Sequence, residues 1–179
     1  MPAACSLTRS SRILLLRPPA GRKEVNDRQT QPRRNGVSLV KPVPIGARAH
    51  REQTVKFENT LEYHQPNLPP VYSTPDMIGL METAAYFALQ PFCENDEITV
   101  GTAINIEHRA ATGVGARIRA EASLESSDGR FYTMRVRAVE VAEDGSEKIE
   151  IGRGTVGRAV VNMGKFVSRL QQDRSAKQA

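Results

Sequence analysis

The sequence predicts an α+β fold in which an antiparallel sheet wraps around one long central helix. Two observations carry this. Residues 98–162 read as four consecutive half-buried strands, and the stretch Ser73–Gln90, STPDMIGLMETAAYFALQ, reads as one helix apolar nearly all round. A sheet of that kind has one apolar face to cover, and this helix is the only element available to cover it. At 179 residues the chain has room for one domain with a sizeable core and an arm beside it.

The arm comes first. Residues 1–50 hold 10 Lys and Arg against 2 acids, a net of +8, which leaves 15 against 18, a net of −3, for residues 51–179. The pI of about 9.5 therefore belongs to the arm, and the remainder has no basic surface suited to nucleic acid. No acid precedes Glu24, five basic residues do, and Ser and Thr are interspersed, a composition that suits a mitochondrial transit peptide. The apolar run Ile13–Leu16 is too short for a secretory segment. A disordered arm translated from too early a start fits equally, since neither periodicity nor low-complexity order is present.

From Gln53 the pattern turns strand-like, with Val55, Phe57 and Leu61, until Gln65-Pro66-Asn67-Leu68-Pro69-Pro70 marks a loop that cannot join a ladder. The helix is expected to start with Thr74 as N-cap and Pro75 as its first residue, and to stop before Pro91. Four strands follow, at 98–109, 117–126, 131–142 and 149–162. In the second, Ile118, Ala120, Ala122 and Leu124 alternate with Arg117, Arg119, Glu121 and Glu125. Ser127-Asp128-Gly129 and Glu143-Asp144-Gly145 are the hairpin turns. A closing helix is expected over 164–172, so the domain is placed at 51–172, with a tail at 173–179. No internal repeat is visible.

Three residues stand out chemically. Glu82 shares a helical stripe with Ile78, Met81, Ala85 and Leu89, which would turn it inward, where a carboxylate needs donors or takes up a proton. It could equally lie on a narrow polar strip with Asp76 and Thr83. Thr74 is explained by capping, yet a helix N-terminus also offers free N–H groups and a positive dipole end to a carbonyl oxygen gaining charge. His108 closes a strand on whose face Thr102, Ile104 and Ile106 also lie; there it is either a hydrogen-bonded core residue or a proton carrier.

Together these residues carry a resemblance. The segments PVYSTPDMIGLMETAA, TVGTAINIEHRAATGVG and GRGTVGRAVVNMGKF resemble the hotdog-fold acyl-CoA thioesterases of the fluoroacetyl-CoA thioesterase type, from about residue 53 to 170. The likeness implies a hotdog fold, hydrolysis of a small acyl-CoA thioester, and a catalytic set of Thr74, Glu82 and His108. It implies that Gly101 and Arg158 line the substrate pocket, and that two protomers, or a higher oligomer, build each cleft. In the fluoroacetate-specific member the loop before the Thr closes the pocket with phenylalanines. Here that loop reads QPNLPPVY, so the acyl group is left open.

Rival functions are weaker. An enoyl-CoA hydratase of this fold would need a His on the helix, and none is there. A non-catalytic acyl-CoA-binding dimer, a sensor or carrier, would need the pocket but neither Glu82 nor His108. A nucleic-acid binder lacks interleaved aromatics. Cys5 and Cys93 cannot form a disulfide framework, and with His50, His64 and His108 they give no ligand spacing for a metal. No cofactor is expected beyond the CoA of the substrate, no apolar run approaches a membrane span, and the expected compartment is the cytoplasm, or the mitochondrial matrix if residues 1–40 are a transit peptide.

Overall fold

The computed structural model describes residues 41–176, so the arm up to residue 40 and the last three tail residues lie outside the described residues. The domain begins earlier than residue 51. Lys41 N–H bonds to the Phe92 carbonyl at 3.2 Å and Gly46 N–H to the Leu124 carbonyl at 2.9 Å, while Val43 and Ala47 pack on the core. The first strand, β1, spans Arg48–Thr54 and pairs antiparallel with Arg117–Ser123.

The strand expected from Gln53 through Leu61 is instead a buried Val55, a 3-10 turn at Phe57–Asn59 and a short helix, α1, at Leu61–His64. Phe57 is half exposed, so it shares no apolar face with Val55. The true strand, RAHREQT, sits at the edge of the sheet with no fully buried side chain, which leaves no apolar alternation to read.

Helix α2, Thr74–Leu89, buries Met77, Leu80, Met81, Ala84, Ala85, Ala88 and Leu89. Three of these are alanines, and their small side chains let the sheet close tightly on the helix. The sheet then runs through β2 (Glu97–His108), β3 (Arg117–Ser127), β4 (Phe131–Val141) and β5 (Glu147–Asn162), in spatial order β1-β3-β4-β5-β2, all antiparallel. Its inner face carries Ile118, Ala120, Ala122, Leu124, Met134, Val136, Ala138, Ile151 and Val156. Both expected hairpins are present; Gly129 and Gly145 turn them at φ +88° and +83°, where a Cβ would be strained.

The closing helix, α3, is longer than expected, at Met163–Ala176, and takes in most of the expected tail. Asn162 caps it by accepting the Lys165 N–H at 3.0 Å, and the Met163 N–H reaches the Asp96 carbonyl at 2.8 Å.

Strand β2 is the second edge. Its middle, Gly101–Asn105, is exposed, and Ile104 keeps 52% of its surface. The strand carries a bulge between Gly101 and Ala103, and β5 approaches it so closely that a Cβ on Gly154 would overlap the Asn105 carbonyl oxygen. The outer face of the sheet is ionic: Arg119 and Arg137 both bind Glu121 and Glu147. A concavity of about 1100 Å³ lies along that face, remote from α2, and its charges are largely paired with one another.

Candidate active site

Ser73 and Thr74 are both good capping residues, and the choice between them decides what Thr74 is free to do. The expected cap was Thr74. The structure puts it on Ser73, whose backbone is extended (φ −78°, ψ 147°) and whose Oγ accepts the Asp76 N–H at 3.2 Å. The Asp76 carboxylate in turn accepts the Ser73 hydroxyl, so the two residues bond each other in both directions, while the Ser73 N–H goes to the Asn59 carbonyl. Thr74 is therefore the first helical residue and Pro75 the second, which a proline tolerates because its missing N–H is unpaired there anyway.

Released from capping, the Thr74 side chain turns toward β2. Its Oγ1 lies 2.9 Å from His108 Nδ1. The other ring nitrogen, Nε2, is 3.1 Å from the Ala110 carbonyl oxygen, which can only accept. In the neutral imidazole the proton therefore sits on Nε2, and Nδ1 accepts from the Thr74 hydroxyl. That is the geometry of a hydroxyl polarised by a base whose tautomer is held by a backbone carbonyl.

Glu82 lies two turns further along α2, about 12 Å away at the helical rise. It is half-buried: its side chain keeps 30% of its surface, but Oε1 is enclosed and accepts no hydrogen bond. Neither reading of the stripe was complete, because the carboxylate spans the boundary between interior and surface. What it faces is Gly101 on β2, where any Cβ would overlap Glu82 Oε1. Gly101 pairs directly with Arg158 on β5, and Arg158 Nη1 is 3.5 Å from Glu82 Oε1 and 3.3 Å from its backbone carbonyl.

Arg158 is a buried cation with fixed aim. Its Nε donates to Thr99 Oγ1 at 2.9 Å and its Nη2 to the Thr99 carbonyl at 2.8 Å. Burial pushes its pKa down from the ordinary arginine value, while the Glu82 charge acts the other way. A guanidinium so placed stays charged beside the Glu82 carboxylate.

The five predicted residues thus fall into two groups. Thr74 and His108 meet at the start of α2; Glu82, Gly101 and Arg158 meet at its middle, because α2 and β2 run in opposite senses. Sequence reasoning missed Thr99 and Asp76. Ser73-x-x-Asp76 is a capping pattern that could have revealed the latter, and Thr99 lies two residues before Gly101 on the same strand.

Comparison with known proteins identifies the family. Residues 50–164 match the family model of the fluoroacetyl-CoA-specific thioesterases. The fluoroacetyl-CoA thioesterase of Streptantibioticus cattleyicolor is 36% identical over 138 residues, 74% of this chain and 95% of that one. A solved structure of a fluoroacetyl-CoA thioesterase superposes with a TM-score of 0.65 at 35% identity, covering 74% of this chain and 98% of the other. A Thermus thermophilus hypothetical protein of the thioesterase superfamily gives 0.68 at 27% identity, covering 77% and 98%. A capped helix, an edge strand ending in histidine and a carboxylate folded over a glycine are thus set in a hotdog fold, and the chain belongs to the fluoroacetyl-CoA-specific thioesterase family.

Proposed function

We propose that the protein hydrolyses a small acyl-CoA thioester to the free acid and CoA, at a site that two protomers build together, with no cofactor besides the CoA of the substrate. Family membership supports the reaction. One observation supports the shared site: Glu82 and the Thr74–His108 pair are about 12 Å apart on the same helix, too far to act on one carbonyl. The exposed middle of β2 has the unpaired edge and the apolar Ile104 that a second copy would cover. Pairing two such edges antiparallel about Ile104 brings His108 of one strand level with the neighbourhood of Gly101 on the other.

In that arrangement each residue has work suited to its surroundings. Glu82 supplies the electron pair, either to the thioester carbonyl carbon or to the proton of an attacking water, and its enclosed Oε1 lacks the solvent shell that would blunt it. Arg158 is its ionic partner, with Nη1 3.5 Å from Oε1. His108 carries the proton to the departing thiolate of CoA, and Thr74 with the helix N-terminus faces the carbonyl oxygen as it becomes negative. The missing side chain at Gly101 makes room for the Glu82 carboxylate, since a Cβ there would overlap Oε1.

The reading is tested with a panel of acyl-CoA thioesters assayed by thiol release, for wild type and Glu82→Gln. Hydrolysis of short acyl chains is expected, with kcat lowered by about two to four orders of magnitude in Glu82→Gln. Unchanged kcat would remove Glu82 from the chemistry, and absence of hydrolysis by wild type would leave an acyl-CoA-binding module as the better description. A cytoplasmic location, or a matrix one if residues 1–40 are a transit peptide, is proposed from the sequence alone; among the described residues no helix is long and apolar enough to cross a membrane.

A further inference from the structure

Capping needs one hydroxyl and one N–H, and Ser73 with Asp76 provides them. The Asp76 carboxylate does far more. Its Oδ1 accepts the Asn59 side-chain amide at 2.9 Å, and its Oδ2 accepts the Ser73 hydroxyl and lies 2.8 Å from His64 Nε2. Asn59 belongs to the 3-10 turn, His64 to α1 and Ser73 to the cap of α2, so one carboxylate joins three consecutive elements. The same junction is closed by backbone bonds from Ser73 N–H to the Asn59 carbonyl and from Leu61 N–H to the Val71 carbonyl, 2.8 and 2.9 Å. Burial alone would push the Asp76 carboxyl up, but the donors from Ser73, His64 and Asn59 hold it below its ordinary range.

Thr74 lies inside this junction, two residues before Asp76 and one after Ser73. Its own side chain is exposed and is held only by His108. We infer that Asp76 is a positioning residue: by tying α1 and the 3-10 turn to the first turn of α2, it aims the Thr74 hydroxyl at His108 Nδ1. The inference rests on the thioesterase reading for its effect on rate, though not for its effect on structure.

The charged and titratable groups facing this junction are few. Arg51 and Glu52 of β1 line the same shallow groove as His64 and Asp76, the Tyr63 ring stands edge-on to His64 at 5.6 Å, and the buried Tyr72 lies close enough to Asp76 to feel its charge. None of them is close enough to replace His64 or Asn59 as a donor to Asp76 in this structure.

Three measurements on the full chain test it. In Asp76→Asn, amide hydrogen exchange over residues 61–72 should speed at least tenfold, and the nitrogen chemical shifts of the His108 ring should move as the Thr74 bond is lost. With a hydrolysed thioester as substrate, kcat should fall at least tenfold and KM less than threefold, measured well below the melting temperature. His64→Ala, which leaves the cap untouched, should show the same signs more weakly, and His64→Gln, a neutral donor, should recover most of the loss. Unaltered exchange and unaltered His108 shifts in folded Asp76→Asn, or in His64→Ala should Asp76→Asn not fold, would overturn the inference. If wild type hydrolyses no thioester, the hydrolase reading fails by itself, and exchange and shifts still decide the role of Asp76.

Discussion

Thr74 and Ser73 are one bond apart and chemically alike, yet they serve different ends, and their substitution should separate stability from rate. Ser73→Ala removes the cap and should cost about 0.5–2 kcal/mol, read as a lower midpoint in thermal or urea unfolding. Thr74→Ala removes no cap and exposes no buried group, so its unfolding midpoint should stay close to wild type while kcat/KM falls about tenfold or more. If Thr74→Ala proved the less stable of the two, the cap assignment would be wrong. Capping propensity alone does not separate them, because both are good capping residues and proline is tolerated at either of the first two helical positions. What decides it is the carboxylate three residues beyond Ser73, which can return the hydrogen bond. Glu82 was harder to read for a different reason: whether a residue on a helical stripe is inside depends on what lies across from it. Here that is a glycine seven residues before the end of a distant strand.

At the scale of elements, strands and turns were legible where one face of the sheet is buried. Strands β3 and β4 alternate because the inner face meets α2 and the outer face meets water, and their hairpins carry glycine where φ is positive. Strand β1 was not legible, since its half-buried positions, Ala49, Arg51 and Gln53, are mostly polar and so give no apolar alternation. The β2–β5 pair shows a third situation. Gly152, Gly154 and Gly157 recur along β5 because a Cβ at each would meet Met77 or the β2 strand, and at Gly154 the obstacle is backbone, which cannot move aside cheaply. Gly154→Ala should therefore cost at least about 2 kcal/mol, among the larger effects expected of a single methyl group. Gly79→Ala on the open side of α2, where a Cβ meets nothing, should be neutral or stabilising by comparison. Chemical unfolding of the two variants side by side checks both, and equal destabilisation would contradict the close approach of β2 to β5.

At the scale of the whole molecule, the described contacts of the domain reach back at least to Lys41, tied to Phe92, and so precede the change of pattern near residue 51. A chain beginning at Val40 should fold, associate and melt within a few degrees of the full-length protein, whereas one beginning at Gln53 loses β1 with its ladder to β3 and should be insoluble or unfolded. Circular dichroism and sedimentation of the two shortened chains check this; a soluble, cooperatively folded chain from Gln53 would show β1 to be dispensable. The fold class was readable in advance because it follows from a count of elements and faces, one helix against four strands. The division of the site was not, because it depends on the relative direction of α2 and β2 in space.

That division has a genetic consequence. A protein whose Thr74–His108 pair and Glu82 serve different sites within a dimer can be rebuilt from two broken copies. Thr74→Ala and Glu82→Gln chains, each impaired alone, would on mixing and exchange of subunits form hybrid dimers in which one site carries both lesions and the other carries none. Random pairing in equal amounts makes roughly half the dimers hybrid, so roughly a quarter of wild-type activity should return. A cell carrying the two defective alleles would then grow where either alone does not, under any condition that demands the enzyme. Recovery of nothing, with hybrid dimers verified by mass, would place Glu82 and Thr74 in the same protomer's site.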